Sequence, residues 1–320
     1  MEDTNETTKY DDGLRHGGFQ AITDVPLLII GLLSLLTNVF VIRVILSKRS
    51  LQTSSNMILV SLAVSDLLTG LVTVPLIVTC QVTLNLGVCI TSAIFIKFIS
   101  ISTIVHISMI TIDWHMFIVQ ALRYYEIVRK RYVIIVLVVS WLVISFLALV
   151  RLSWALDVNV TEDYEVKSEE NLFNYFCLGL FCVLFIVNIV LDSHMLFILN
   201  KQVSKIIKNN LTRECLAHEN RMRSNKRRAV VMCVLMLAIN AILWLPYFSL
   251  DLLQAAEHLS VVAEYVIMNI RVLSSLLNPI IYSIGQRTLR QAIRDKLRFI
   301  LPCKQTNEFK TEETPLNQLT

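Results

Sequence analysis

The sequence predicts an all-α membrane protein, namely a seven-transmembrane helix bundle with a short amphipathic eighth helix. Three observations predict this fold. Hydrophobic residues make up 55% of the 320 positions, whereas soluble domains are roughly 45–50% apolar. Charged residues make up only 17% of the chain, against about 25% in ordinary domains, and the mean hydropathy is +0.62. The apolar residues also fall into runs of about 20 residues, the length that crosses a bilayer.

Seven apolar runs bounded by charged residues predict seven spans. Their approximate limits are 24–46, 56–81, 89–120, 132–154, 172–200, 229–254 and 265–284. Three regions follow from these limits: an extracellular N-terminal tail over 1–24, the bundle over 25–284, and a cytoplasmic amphipathic helix with a tail over 285–320. No basic start with a short apolar core precedes the first span, so this span is expected to direct insertion.

The loops between the spans predict the orientation of the bundle. The N-terminal tail and the loops on its side carry 3 Lys and Arg residues, and the opposite side carries 22. Basic residues stay on the cytoplasmic side, which places the N-terminus outside the plasma membrane and the C-terminus inside. The glycosylation sequons at Asn5 and Asn159 then lie outside, where glycans can be attached, and the one at Asn210 lies inside.

The segment after the last span predicts a helix on the membrane surface. Over 286–301 apolar residues recur at helical spacing and five basic residues lie between them, so we expect contact with anionic membrane lipids. Cys303 follows directly and is a candidate palmitoylation site, which would add a second anchor. A solvated basic tail with an incidental cysteine is the alternative.

Five spans each carry a short motif that points to one family. The motifs are Asn38 in the first span, Leu62-Ala63-Val64-Ser65-Asp66 in the second, Asp113-Trp114-His115 at the end of the third, Trp244-Leu245-Pro246 in the sixth and Asn278-Pro279-Ile280-Ile281-Tyr282 in the seventh. In this order and on these spans, they resemble the motifs of the rhodopsin-like (class A) G protein-coupled receptors across almost the whole chain. The third-span motif departs from the family, which has Asp-Arg-Tyr there.

The resemblance implies a sodium site around Asp66. A carboxylate in mid-membrane costs several kcal/mol unless it has partners, so an acid at this depth predicts a function. The residues that the family places around it, and that we expect to hold a sodium ion favouring the resting state, are Asn38, Thr103, Ser274, Ser275 and Asn278. No other cofactor is expected. The alternative is a protonated Asp66 that only joins helices.

The resemblance also assigns roles in activation and a disulfide. Pro246 and Pro279 each remove a backbone donor and create points about which the cytoplasmic helix ends can move. Trp244 corresponds to the family's toggle at the pocket floor, with packing as the alternative, and Tyr282 is expected to turn inward on activation. Cys89 is expected to pair with Cys177, with Cys182 as the second choice and an unpaired thiol as the alternative.

The ligand pocket is expected between helices three, five, six and seven. The residues predicted to line it are Ile96, Lys97, Ser100, Trp244, Tyr247, Phe248, Asp251, Met268 and Arg271. Amine receptors of the family hold their ligand with an Asp where this chain has Ile96, so an amine ligand is not expected. Lys97 and Arg271 instead indicate recognition of a carboxylate or phosphate. The alternative is that Lys97 and Arg271 form internal salt bridges with Asp251 or Glu264. The outer loops are acidic and could attract a cationic peptide, so a ligand of that class is a further alternative.

These observations predict a receptor that transmits the binding of an extracellular ligand to a cytoplasmic G protein, with atypical coupling. Trp114 lacks the charge and the several donors of the Arg that the family has at this position. Asp113 is therefore expected to accept from Arg123 or Tyr124 instead. One alternative is a receptor that binds ligand with little G protein signalling, acting as a decoy or through arrestin. A transporter is a weaker alternative, and no motif indicates an enzyme or a nucleic-acid partner.

Overall fold

The computed structural model describes residues 18–156, 163–208, 213–254 and 261–300. The described residues form seven helices that are long and apolar enough to cross a membrane. These helices, called the first to the seventh span below, are Ala21–Ser47, Ser54–Thr83, Leu86–Val119, Lys130–Leu156, Asp163–Lys208, Arg213–Gln254 and Val261–Gly285. A further helix, Arg287–Ile300, follows as the terminal helix. The predicted seven-helix bundle with an eighth helix is therefore confirmed.

The helix limits agree with the apolar runs except at the fifth and sixth spans. These two helices extend to 46 and 42 residues, beyond the apolar runs 172–200 and 229–254 that the sequence predicts. Apolar runs end where the bilayer ends, whereas a helix continues as long as its polar residues favour helical backbone. The apolar pattern therefore locates the membrane crossing and underestimates the helix.

A short turn joins the second and third spans. Leu84 adopts a left-handed conformation, with a φ of 49°, and ends the second span. The Asn85 side chain then accepts a hydrogen bond from the backbone N–H of Val88 at 3.2 Å, which satisfies a free donor at the start of the third span. The chain consequently reverses direction within a few residues.

The first and second spans pack closely where both lack a side chain. A Cβ atom added to Gly70 would lie 2.3 Å from the Gly31 carbonyl oxygen. Gly70 is the second residue of a five-residue π-helical turn, Thr69–Thr73, which interrupts the α-helix of the second span shortly after Asp66. Turns of this kind frequently mark functional sites.

The third span lies at the centre of the bundle. It packs against the second, fourth, fifth and sixth spans, while the seventh packs against the first, second and sixth. The terminal helix packs against the seventh and first spans through the buried Leu289 and Ala292. Lys48, after the first span, pairs with Asp295 of the terminal helix at 3.6 Å. The predicted site residues are thus distributed over the first, second, third, sixth and seventh spans of this bundle.

Candidate functional site

At the floor of the predicted pocket, the buried guanidinium of Arg271 lies against two aromatic rings. The Arg271 guanidinium is 5.3 Å from the ring centroids of both Trp244 and Tyr247. The two rings meet edge to face, with centroids 6.1 Å apart. Arg271 is only 1% exposed, and Trp244 is 2% exposed. The sixth and seventh spans therefore bring together three of the predicted pocket residues.

The Arg271 guanidinium has unused hydrogen-bonding capacity. Its Nε and one terminal nitrogen are buried and have no acceptor among the residues that the structure describes. A buried charge without partners is costly, and contacts with aromatic faces offset only about 2 kcal/mol of that cost. Two guanidinium nitrogens of Arg271 can therefore still donate hydrogen bonds to the oxygens of an anion.

The other described pocket residues lie in the same apolar cluster or line a separate small cavity. Ile96 and the partly buried Met268 pack in one apolar cluster with Trp244 and Tyr247. Lys97 and Ser100 line a small cavity between the third and fifth spans, and Lys97 is 8% exposed. The side chains of Phe248 and Asp251 lie outside the described part of the chain, so their predicted place in the pocket is not tested.

Asp66 is fully buried and lies in a polar network that joins the first, second and seventh spans. The Asn278 amide donates to its carboxylate, with Nδ2 3.1 Å from Oδ2. The Ser275 hydroxyl lies beside the same carboxylate and donates to Thr69 at 3.2 Å. Asn38 donates to the Ser275 carbonyl at 3.1 Å, which ties the first span to the seventh. Three of the five residues predicted to surround Asp66 therefore lie in one network with it, namely Asn38, Ser275 and Asn278.

The oxygen atoms around Asp66 are of the kinds that bind a hard cation such as sodium. Asn38 Oδ1 and Thr103 Oγ1, two of the predicted ligand atoms, are buried without a hydrogen-bond partner in the described part of the chain. The Ser274 hydroxyl donates to the Arg271 carbonyl at 2.8 Å, and its oxygen still has lone pairs. Carboxylate, carbonyl and hydroxyl oxygens are the ligands that hard cations prefer. No hydrogen bond joins Thr103 directly to Asp66, so Thr103 would enter the site only through the ion or a water.

Asp113 is held by hydroxyl groups instead of a cation. The Tyr124 hydroxyl donates to its Oδ1 at 2.8 Å, and the Ser55 hydroxyl donates to its Oδ2. Of the two expected partners, Tyr124 fills the role, and no ion pair with Arg123 occurs within the described ranges. Burial and the neighbouring Asp113 raise the pKa of the Tyr124 phenol, so it stays protonated and donates.

Trp114 and His115 point to different surroundings. The Trp114 ring contacts Phe117 edge to face at 5.5 Å and lines a cavity of about 280 Å³ near the start of the terminal helix. His115 Nε2 lies 2.8 Å from Nδ1 of His194 on the fifth span. The motif therefore joins the third span to the second through Asp113 and to the fifth through His115.

The predicted Cys89–Cys177 disulfide is wrong, because Cys89 is bonded to Cys80 at the end of the second span. The turn at Leu84 brings the two Cα atoms within 4.8 Å across a separation of nine residues. Cys177 is buried and packs with Ile101, twelve residues after Cys89 on the same helix. At 1.5 Å per residue that is about 18 Å deeper, far beyond the reach of a disulfide. The short segment between Cys80 and Cys89 was the sequence feature that could have indicated this pairing, but the family resemblance favoured Cys177 instead.

Some contacts carry no sequence signal. Serine is common in the first turn of a helix, so nothing in the sequence indicates that the Ser55 hydroxyl donates a hydrogen bond to Asp113. His106, also buried, contacts the Ser61 hydroxyl at 2.7 Å and the Ser102 carbonyl at 2.6 Å, as expected for a structural histidine. The predicted modification sites Asn5, Asn159 and Cys303 lie outside the described residues. Pro246, Pro279 and the fully buried Tyr282 lie within the sixth and seventh spans as predicted, and their roles in activation stay predictions.

Comparison with known proteins agrees with this architecture. The sequence profile of the family described as "7 transmembrane receptor (rhodopsin family)" matches residues 37–282. The chain is 25% identical over 289 residues to the histamine H2 receptor of Cavia porcellus, covering 86% of this chain and 79% of that receptor. The histamine H2 receptor of Canis lupus familiaris is 24% identical over 292 residues, with the same coverage. A GQ-coupled rhodopsin of Mizuhopecten yessoensis is 25% identical over 323 aligned positions, which cover 91% of this chain and 62% of that protein. These relatives are receptors and not enzymes.

Proposed function

Because the chain belongs to the rhodopsin family of seven-transmembrane receptors, we propose that it binds an extracellular ligand carrying a carboxylate or phosphate and transmits this binding to a cytoplasmic G protein. The observation that supports this ligand class is Arg271, a buried guanidinium with two free nitrogens at the floor of the predicted pocket. A planar guanidinium forms two parallel hydrogen bonds with such anions.

The residues around Arg271 argue against an amine ligand. Two of the relatives are named for histamine, but this chain has Ile96 at the position where amine receptors carry an Asp. Ile96 is buried in an apolar cluster and offers no charge to a cation. Lys97 and Arg271 further raise the electrostatic cost of placing an amine there, because like charges in a buried site repel.

The same geometry suggests how binding is transmitted. In the described structure the Arg271 guanidinium is held against the Trp244 and Tyr247 rings. Each charge-assisted hydrogen bond to an anion is worth about 1.5–3 kcal/mol, so two such bonds can compete with the contacts to the two aromatic rings, worth about 2 kcal/mol each. An anionic ligand would therefore draw Arg271 off the rings and allow Trp244, two residues before Pro246, to change its rotamer.

The orientation and the ion site complete the proposal. The basic loops support an extracellular N-terminus and a cytoplasmic C-terminus in the plasma membrane. The oxygen ligands around Asp66 support a sodium ion that stabilises the resting state. Such an ion shifts the equilibrium only by its differential affinity for the two states.

Trp114 supports a second candidate, a receptor that binds ligand with little G protein signalling and acts as a decoy or through arrestin. Its indole lines the cavity next to the terminal helix, where the family presents a cation to the G protein. We favour a signalling receptor because the basic residues over 201–228 still offer a surface to an acidic cytosolic partner.

A ligand screen that does not depend on coupling tests the proposal. The receptor in nanodiscs is screened by thermal shift against matched small carboxylates, phosphates and amines. We expect stabilisation by one or more anions, and Arg271→Gln should abolish it while Arg43→Gln, at an exposed site on the first span, should not. Stabilisation by amines that persists in Arg271→Gln would contradict the proposed ligand class.

A further inference from the structure

We propose that the cytoplasmic ends of the sixth and seventh spans and the terminal helix form a binding site for an anionic phospholipid, with its phosphate on Arg228 and Arg290 and an acyl chain in the cleft above them. The site lies at the opposite end of the bundle from Arg271. The proposed orientation of the bundle enters only because it assigns the bound lipid to the inner leaflet.

The first part of the site is an apolar cleft of about 650 Å³. Its walls come from one face of the sixth span and one face of the seventh, and they consist of Val231, Met232, Leu235, Ile239, Leu277, Ile280 and Ile281. Val231, Leu235 and Ile280 are 44–46% exposed, so the cleft opens sideways toward the hydrocarbon of the bilayer. A cleft with such walls suits an acyl chain and offers little to a soluble anion.

The second part is a cluster of arginines at one end of the cleft. Arg227, Arg228 and Arg290 line it, and Arg287 lies within electrostatic range of Arg228, as does Arg290. One terminal nitrogen of Arg228 is buried and has no acceptor in the described part of the chain. Like charges held together in this way repel, so the cluster is incomplete without an anion.

The protein's own acids do not fill this role within the described ranges. The ion pair that the structure shows there joins Lys48 to Asp295, on the far side of the terminal helix toward the first span. Phosphate is the anion that matches guanidinium groups, and an anionic phospholipid combines it with an acyl chain. The charged cluster and the apolar cleft thus indicate one amphiphilic occupant.

The position of the site gives it a structural consequence. Gly285, at the end of the seventh span, lets Met232 approach so closely that an added Cβ would lie 2.8 Å from its side chain. A lipid phosphate that joins Arg228 of the sixth span to Arg290 of the terminal helix would neutralise their repulsion beside this contact. Bound lipid is therefore expected to hold the cytoplasmic end of the sixth span against the seventh.

Native mass spectrometry of the full chain released from nanodiscs tests the site. The nanodiscs contain phosphatidylcholine alone or with a phosphatidylinositol bisphosphate, and retained lipid adducts are counted. The variant is Arg228→Gln with Arg290→Gln, and the matched control is Arg294→Gln with Lys296→Gln, which removes the same charge from exposed positions that do not line the cleft. We expect the variant to lose phosphoinositide adducts roughly ten-fold or more, and the control less than two-fold.

A second variant tests the cleft without changing charge. Leu235→Trp should fill the cleft and reduce retention of the long-chain lipid, while a soluble inositol phosphate should compete poorly with that lipid on the wild type. Equal loss in variant and control would show bulk attraction to a basic surface and overturn the proposal. Complete competition by the soluble inositol phosphate, or adducts unchanged in Leu235→Trp, would also overturn it, because the acyl chain would then contribute nothing. Neither measurement depends on the extracellular ligand, so its outcome is separate from that of the proposed function.

Discussion

The hydroxyl of Tyr124 donates a hydrogen bond to the Asp113 carboxylate at 2.8 Å, and the Ser55 hydroxyl donates to its other oxygen. Two neutral donors therefore replace the arginine that the family pairs with this acid. Because Ser55 lies in the first turn of the second span and Tyr124 follows the third, Asp113 joins the start of the second span to the end of the third. This arrangement predicts a resting state that depends on hydroxyl donors instead of an ion pair.

Tyr124→Phe should destabilise the bundle, because it leaves a buried carboxylate oxygen without its donor at a cost of about 1–3 kcal/mol. The measurement is the thermal midpoint in detergent, which should fall by a few degrees. Tyr125→Phe is the matched control, since Tyr125 is 77% exposed and donates no such bond. Because the folded pKa of Tyr124 is raised, its contribution to stability should be fully present below the ordinary value of 10.0 and fall as the pH rises above that value. A thermal midpoint at neutral pH that is the same in wild type and Tyr124→Phe would contradict the assignment.

Peptide mapping under non-reducing conditions should recover Cys80 linked to Cys89. Cys80→Ser should then leave Cys89 accessible to alkylation and cost roughly 2–3 kcal/mol, as loop closure predicts for a short loop. Cys182→Ser, at an exposed position, should change neither the map nor the stability. Recovery of Cys89 linked to Cys177 would restore the pairing that the family resemblance implied.

Fold prediction succeeded here because hydrophobic periodicity is a local property of the chain. The seven apolar runs and the amphipathic pattern after residue 286 needed no knowledge of packing. The Cys80–Cys89 bond and the Ser55 contact depended on the conformation of Leu84 and on the positions of two separate helices. The Arg228 cluster was equally hidden, because its members lie on two helices about sixty residues apart in sequence.

Asp66→Asn should remove the effect of sodium on basal activity. If the buried oxygens around Asp66 hold the ion, replacing choline chloride by sodium chloride should lower basal nucleotide exchange in the wild type and leave the variant unaffected. Asp192→Asn is the matched control, since Asp192 is another buried acid, 4% exposed, on the fifth span. Equal sodium dependence in wild type and Asp66→Asn would show that Asp66 serves only to join helices.

The glycan pattern should report the orientation. Glycosidase treatment of the wild type is expected to shorten the protein in two steps, one for Asn5 and one for Asn159. Asn5→Gln and Asn159→Gln should each remove one step, and Asn210→Gln should remove none. Unchanged mobility of the wild type, or a C-terminal tag stained on unpermeabilised cells, would contradict the predicted topology.

Trp114→Arg should increase agonist-driven nucleotide exchange on a G protein. The substitution places a planar cation with several donors in the cavity beside the terminal helix, where the indole offers one donor and no charge. A single charge-assisted hydrogen bond to the G protein, worth about 1.5–3 kcal/mol, corresponds to roughly ten-fold or more in exchange rate. Trp114→Phe is the control, because it keeps an aromatic ring against Phe117 and adds no charge.

Basal activity should show whether Asp113 governs the resting state. In Trp114→Arg the new cation must compete with Tyr124 and Ser55 for Asp113, so the resting state gains little and basal exchange should stay close to that of the wild type. Adding Tyr124→Phe frees one carboxylate oxygen for the new arginine, and the double variant should therefore show lower basal exchange than Trp114→Arg alone. If the wild type already exchanges nucleotide at full efficiency and Trp114→Arg adds nothing, the tryptophan does not limit coupling. If the double variant instead matches Trp114→Arg in basal exchange, Asp113 does not govern the resting state.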